Sequence, residues 1–100
     1  MTTLRLGAEL AEDFVRVAAH LAVHDVPDID ARLGEIVEAL QVLTRHPLIG
    51  RPVAGVWREL VIGRASRGYV ARYWYDAVDD AVSVTALRAQ REAGFGEGPG

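Results

Sequence analysis

The hydrophobic period of this chain changes at Pro47, and this change constrains the fold more than any other feature. Before Pro47, apolar residues recur every three or four positions, which is typical of amphipathic helices. After Gly55, they recur every second position, in three runs rich in β-branched and aromatic residues. A chain that is helical first and stranded afterwards favours an α+β domain, in which helices cover one face of a sheet.

Two helices are predicted before the change of period. The first apolar stripe comprises Leu10, Phe14, Val17 and Leu21. The second comprises Ile29, Leu33, Ile36 or Val37, Leu40 and Leu43. Residues 24–28 separate the two helices, and Asp25 or Asp28 can cap the free amides of the second. The second helix should end near Arg45, because the residue before Pro47 is pushed out of the helical region. The two helices should form an antiparallel hairpin.

Three strands are predicted after the change of hydrophobic period. They lie between Arg58 and Arg64, at Tyr69–Tyr75 and at Val82–Leu87. The segments 65–68 and 77–80 are turn-like, so the strands should pair as an antiparallel meander. A weak alternation at Thr2–Leu6 indicates a further short strand at an edge of the sheet, whereas 47–55 is predicted as a turn. The expected fold is an N-terminal strand and an antiparallel helical hairpin packed on a three- to four-stranded antiparallel sheet, in the order β-α-α-β-β-β.

Length and composition indicate one cytosolic domain. One hundred residues, half of them apolar, form a single core, which we assign to residues 1–95; the last five residues read as a disordered tail. The chain has no cysteine, which excludes disulfides and thiolate metal sites. No apolar run approaches the ~20 residues that span a bilayer, and the N-terminus lacks the regions of a signal peptide. We therefore expect a cytoplasmic protein that binds no membrane.

The charge is distributed unevenly along the chain. The formal net charge is −3, and all eleven basic residues are arginine. Residues 1–50 carry four arginines and eight acidic residues, whereas residues 51–75 carry five arginines and only Glu59. This local excess of positive charge can attract an anionic partner. It is not a strong signature of nucleic-acid binding, because the whole chain is acidic, and we expect no sequence-specific DNA binding by this chain.

Histidine does not point to a metal site here. His20 and His24 have the i, i+4 spacing that can hold a metal, but no acidic residue stands between them as in HExxH motifs. A place on the helix surface is the favoured interpretation for both. His46 stands at a helix end, where a cation is favourable. We therefore predict no metal and no cofactor.

The arginines and aromatic residues of the second half allow two interpretations. The arginines are Arg51, Arg58, Arg64, Arg67, Arg72, Arg88 and Arg91, and the aromatic residues are Trp57, Tyr69, Tyr73, Trp74, Tyr75 and Phe95. Guanidinium groups bind phosphate or carboxylate, and aromatic rings can stack bases. Equally, the rings can pack within the sheet, which we favour, and Arg58 can pair internally, because alternation places it beside Leu60 and Ile62.

Four short motifs in this half resemble the RelE/ParE toxin superfamily of bacterial type II toxin–antitoxin modules. They are Gly50-Arg51-Pro52, Arg58-Glu59-Leu60, Gly68-Tyr69-Val70 and the segment RAQREAGF at 88–95. The last resembles the RxQREAGY ending of many ParE-like toxins, with Phe95 in place of the tyrosine. The order of helices and strands also resembles that of the family over nearly the whole chain.

The resemblance implies one of two activities. RelE-like toxins cleave mRNA in the ribosomal A site, ParE-like toxins poison DNA gyrase, and a small antitoxin wraps and neutralises both. The ribonucleases use a terminal tyrosine or a histidine with several arginines and lysines. This sequence has Val70 where RelE-like members usually have arginine, Ala89 or Gln90 where they have arginine or histidine, and Phe95 at the terminal tyrosine. The sequence therefore favours gyrase inhibition without catalysis; ribosome-dependent cleavage and a non-toxic protein-binding module remain as alternatives.

The resemblance also indicates which residues bind partners. The residues predicted to contact the target are Arg58, Arg64, Arg88, Arg91 and Phe95. Those predicted to contact the antitoxin are Leu10, Phe14, Arg51, Trp57, Arg72 and Trp74. No catalytic residue is predicted for a gyrase inhibitor. If the chain is a ribonuclease, the residues that stabilise the phosphate are predicted to be Arg72, Arg88 and Arg91.

Overall fold

The structure is a computed structural model, and it describes residues 1–63 and 68–90. Its elements are β1 (Thr3–Leu6), α1 (Ala8–Val23), α2 (Ile29–Leu40), a 3-10 turn (Gln41–Thr44), β2 (Arg51–Ala54), β3 (Trp57–Ile62), β4 (Tyr69–Asp76) and β5 (Ala81–Ala89). This order confirms the predicted α+β fold, in which an N-terminal strand and two helices precede the meander. Neither helix within the described ranges is long and apolar enough to cross a bilayer.

The sheet differs from the prediction in strand number and direction. Within the described residues it has five strands in the order β1-β5-β4-β3-β2, and β1 pairs with β5 in parallel, with Thr3 beside Ala81 and Leu6 beside Val84. The remaining pairs are antiparallel. The sheet is therefore mixed rather than purely antiparallel. The extra strand, β2, lies within the segment predicted as a turn, and its Pro52 is tolerated because β2 is an edge strand.

The helices begin and end close to the residues at which the sequence predicts their boundaries. Helix α1 ends at Val23 before the break at 24–28. Asp28 is the N-cap of α2: its backbone is left-handed, with φ at +56°, and its side chain accepts a hydrogen bond from the amide of Ala31 at 3.4 Å. After Leu40 the chain tightens into the 3-10 turn that ends at Thr44, next to the predicted boundary at Arg45.

The core lies between the two helices and one face of the sheet. The helices contribute Leu10, Val17, Leu21, Ile36, Leu40 and the neighbouring Leu43, and the sheet contributes Ile62, Tyr69, Ala71, Tyr73, Val82, Val84, Leu87 and Ala89. Both predicted stripes are confirmed, and of the two alternatives in α2 it is Ile36 that is buried, whereas Val37 is exposed. Burial of these side chains holds both helices on one side of the sheet.

Helix α1 also binds the backbone of β5 directly. Strand β1 ends its pairing at Val84, so that, among the described residues, no strand lies beside this edge of β5 at Leu87. There the Asp13 carboxylate accepts a hydrogen bond from the Leu87 amide at 2.8 Å, and the Arg16 guanidinium donates to the Leu87 carbonyl at 2.5 Å. Two side chains of α1 thus take the place of a strand and satisfy the backbone of a fully buried residue.

Candidate binding face of the sheet

The face of the sheet opposite the helices carries most of the predicted site. Side chains alternate between faces along a strand, and residues opposite each other in neighbouring strands share a face. Since Tyr69, Ala71 and Tyr73 belong to the core, their neighbours along β4 point the other way. We call this side the open face because the helices do not cover it, although Val70 within it is only 1% exposed. Its larger residues are Arg5, Arg51, Trp57, Glu59, Val61, Val70, Arg72, Trp74, Asp76 and Arg88, and β5 adds Ser83 and Ala86.

A buried carboxylate lies at the centre of the open face. Glu59 is only 7% exposed, although it is charged and faces away from the core. It lies opposite Arg51 of β2 on one side and opposite Arg72 of β4 on the other. The Arg51 guanidinium lies 3.1 Å from Oε1 of Glu59, and the Arg72 guanidinium lies 3.5 Å from Oε2. The two arginines therefore cover the carboxylate, and the group of three keeps a net charge of +1.

Two tryptophans lie beside this charged group. Trp57 and Trp74 are opposite each other in the register of β3 and β4, one pair of open-face residues away from Glu59 and Arg72. Both are half-buried. A surface that combines half-buried tryptophan with arginine has the residue types that dominate the energy of protein–protein interfaces.

Arg58 acts within the fold, on the other side of the sheet. Its guanidinium donates hydrogen bonds to the carbonyl of Leu48 at 3.0 Å and to that of Gly50 at 2.7 Å. The Gly50 amide donates to the hydroxyl of Tyr73 at 2.7 Å, and burial raises the pKa of this tyrosine above its ordinary value. The segment before β2 is thus held by a guanidinium and a buried hydroxyl. Of the two interpretations of Arg58, internal pairing is the one observed, with backbone carbonyls as partners.

The residues predicted to bind the antitoxin lie on two sides of the molecule. Arg51, Trp57, Arg72 and Trp74 share the open face, whereas Leu10 and Phe14 belong to α1 on the helical side. Leu10 is only 1% exposed, and Phe14 packs against the core. One partner segment therefore cannot contact all six residues without crossing an edge of the sheet.

The residues predicted to bind the target are only partly described. Arg88 lies on the open face, opposite Val70 in the register of β4 and β5. Arg64, Arg91 and Phe95 lie outside the described residues. Of the fallback set for a ribonuclease, Arg72 and Arg88 share the open face, on the neighbouring strands β4 and β5.

Sequence patterns did not identify Glu59 as part of the site. Alternation predicts that the side chains of Glu59 and Leu60 point to opposite faces of the sheet. It does not predict whether residues of neighbouring strands cover the Glu59 side chain. The signal that could have found it is the excess of arginine around a single carboxylate between residues 51 and 75. An isolated acid among five arginines is a candidate for internal pairing, because a buried charge needs a partner.

The two helical histidines form no metal site with other residues of the described chain. Their ring centroids lie 4.5 Å apart, and Nδ1 of His24 lies 2.9 Å from the carbonyl oxygen of His20. No group of three histidine, cysteine or acidic side chains is placed to hold a metal within 1–63 and 68–90.

Solved structures share this fold at low sequence identity. A chain of the chromosomal ParDE toxin–antitoxin system from P. aeruginosa is 19% identical, with a TM-score of 0.73 over 89% of this chain and 96% of that chain. A chain of the RelBE2 toxin–antitoxin complex from Mycobacterium tuberculosis is 20% identical, with a TM-score of 0.60 over 89% and 98%. The conserved hypothetical protein HP0892 from Helicobacter pylori is 14% identical, with a TM-score of 0.51 over 90% and 96%.

These likenesses define the class of fold. The chain shares its fold with chains of the ParDE and RelBE2 toxin–antitoxin structures, which agrees with the fold expected from the four motifs. No protein-family model matches the sequence, and no curated protein matches it significantly. At identities of 20% and below, the likeness concerns the fold alone.

Proposed function

We propose that this chain is the toxin of a bacterial type II toxin–antitoxin module and that it inhibits DNA gyrase as ParE-like toxins do. Support for a toxin comes from the fold, which is shared with chains of the ParDE and RelBE2 toxin–antitoxin systems. The fold does not discriminate between gyrase and the ribosome as the target. That choice rests on the side chains of the open face.

One observation carries the choice of gyrase, namely the chemistry at the centre of the open face. Among the described residues, the groups that lie there are arginines, two tryptophans and the paired carboxylate of Glu59. A ribonuclease needs a group that takes or gives a proton near neutral pH, usually a histidine or an activated tyrosine. The three tyrosines of β4 all face the helices, and in sequence Phe95 stands where the resemblance expects a tyrosine. Arginine and tryptophan suit a protein partner.

The neutralising partner is a cognate antitoxin that contacts the open face. Its polar groups contact Arg51, whose side chain is two thirds exposed although it also pairs with Glu59. Its apolar side chains pack on Trp57 and Trp74. Since Leu10 is buried in the core, contacts on the helical side involve the exposed part of α1 instead.

The test is inducible expression of the chain in bacterial cells with and without the antitoxin encoded beside it. We expect growth arrest by the chain alone, relaxed or cleaved plasmid DNA, and intact transcripts. Arg88→Ala should weaken the arrest, whereas Arg45→Ala, which removes an arginine away from the open face, should not. Ribosome-dependent cuts in mRNA, mapped by primer extension, would replace gyrase by the ribosome as the target. Normal growth at a good soluble yield would reject the toxin itself.

A further inference from the structure

The backbone and the carboxylate of Glu59 are both held in place by their neighbours. It lies in the middle of β3, which is hydrogen-bonded to β2 on one side and to β4 on the other. Each of its carboxylate oxygens faces a guanidinium, at 3.1 Å and 3.5 Å. Arg51 is the more accessible of these partners, since two thirds of its side chain is exposed, against about a quarter for Arg72.

This arrangement weakens the two arginines as phosphate ligands. A phosphate that bonds to either guanidinium must come within several ångströms of the Glu59 carboxylate, and like charges at that distance repel each other strongly near a protein surface. Binding of nucleic acid gains its energy from cations that replace the counter-ions of the phosphates. A guanidinium that already holds an internal carboxylate contributes little to this gain.

We propose that Glu59 is the residue that determines the specificity of the open face, acting as a built-in counter-ion that prevents Arg51 and Arg72 from binding the phosphates of nucleic acid. The face then accepts a protein surface, which can pack apolar side chains on the tryptophans and offer uncharged hydrogen-bond acceptors to the exposed edge of Arg51. The biological meaning of this inference rests on the proposed function, but its physical content is a binding preference that is measured on the isolated chain.

The test compares two variants that each remove one negative charge. Glu59→Gln removes it at the centre of the open face, and Glu35→Gln removes it from an exposed position on α2. Binding of a fluorescent single-stranded RNA oligonucleotide to the full-length chain is followed by anisotropy at several salt concentrations. We expect Glu59→Gln to bind about tenfold more tightly than the unmodified chain, with a salt slope steeper by roughly one phosphate contact, and Glu35→Gln to change the affinity less than about twofold.

A second pair of variants identifies the arginine involved. Arg51→Ala should remove most of the affinity gained by the Glu59→Gln chain, because Arg51 is the more accessible of the two arginines. It should leave the affinity of the unmodified chain nearly unchanged, because Glu59 already holds Arg51. If Glu59→Gln lacks the far-UV circular dichroism of the unmodified chain, Glu59→Met, which is similar in length and uncharged, replaces it. Arg51→Ala with Glu59 in place is measured in any case.

Three results would overturn the inference. They are a folded Glu59→Gln or Glu59→Met chain that binds RNA no better than the unmodified chain, equal gains in Glu59→Gln and Glu35→Gln, and a loss above about threefold in Arg51→Ala while Glu59 is present. The last result would mean that Arg51 binds phosphate despite its internal partner. None of these results depends on whether the chain is toxic, so a failure of the proposed function is recognised separately.

Discussion

Gly50 is a residue at which the fold leaves no room for a side chain. A Cβ atom at this position would lie 2.6 Å from both the ring and the hydroxyl of Tyr73, and 2.8 Å from the carbonyl oxygen of Glu59. The Tyr73 ring is fully buried, and its hydroxyl accepts the Gly50 hydrogen bond, so the ring cannot move aside without breaking that bond. The close approach of the chain to Tyr73 therefore requires glycine.

We expect Gly50→Ala to lower the free energy of unfolding by about 2 kcal/mol, because the added methyl group overpacks a rigid part of the core. Gly34 is the matched control: it lies in α2, and a Cβ atom added there would meet nothing within 4 Å. Gly34→Ala should raise the free energy of unfolding by about 0.5–1 kcal/mol through helix propensity. Urea denaturation of both variants measures the two effects, and equal stabilities would contradict this account of Gly50.

At the scale of elements, one aspartate ties the first strand to the turn between the last two. Asp80, with φ at +48°, accepts hydrogen bonds from the Thr2 hydroxyl at 2.7 Å and from the Tyr75 hydroxyl at 2.8 Å. These bonds lower the pKa of Asp80 below its ordinary value. The Asp80 carbonyl also accepts the amide of Thr3, which begins the parallel pairing of β1. Asp80 thus links the start of β1 and strand β4 to the turn between β4 and β5.

This lowered pKa predicts a pH dependence of stability. A carboxyl group whose pKa is lower in the folded than in the unfolded chain stabilises the fold above the unfolded pKa, and this contribution disappears as the pH falls through the folded value. Asp80→Asn tolerates the same backbone conformation but makes weaker hydrogen bonds. We expect this variant to melt below the unmodified chain at pH 7, and the difference to shrink below about pH 4.

The control for this experiment is Asp79→Asn. Asp79 lies in the same turn and forms an ion pair with Arg5 at 3.1 Å, but both side chains are well exposed. An exposed ion pair contributes little to stability, so the melting temperature should fall less than in Asp80→Asn. A difference between Asp80→Asn and the unmodified chain that stayed constant from pH 7 to pH 3 would show that the charge of Asp80 is not the cause.

The elements themselves were predictable where local sequence determines them. The two helical stripes and the three strands of the meander follow from hydrophobic period, and Asp28 is a cap that its residue type predicts. Strand β2 was not predicted from the sequence. Its four residues include Pro52 and lie between Gly50 and Gly55, which are turn signals. The parallel pairing of β1 with β5 was not predicted either, because Thr3 and Ala81 are 78 positions apart and no local pattern specifies the order of strands.

At the scale of the whole molecule, the sheet separates a face that holds the fold together from a face that carries the candidate binding residues. Phe14 packs against the core from α1, whereas Trp74 lies on the open face. The sequence predicted both as contacts of one partner. The structure assigns them to opposite sides, so substitutions at the two positions should have different consequences.

We expect Trp74→Ala to weaken antitoxin binding about 30-fold while leaving the fold intact, because a tryptophan at the centre of an interface contributes about 2 kcal/mol or more. Phe14→Ala should instead lower the free energy of unfolding by about 2 kcal/mol, because it removes half-buried apolar surface from the core. Isothermal titration with the antitoxin and urea denaturation separate the two effects. Antitoxin binding that is weakened only in Phe14→Ala would place the interface on the helical side.

The position of β5 between β1 and β4 also has a consequence for the synthesis of the protein. This strand is made after the first strand and α1, both of which must pack on it, so neither can reach its final place until residue 89 has left the ribosome. At about 5–20 residues per second, the nascent chain spends roughly 4–18 s without the strand on which β1 and α1 pack. During that time Asp13 and Arg16 of α1 lack the Leu87 backbone that they bind in the folded protein.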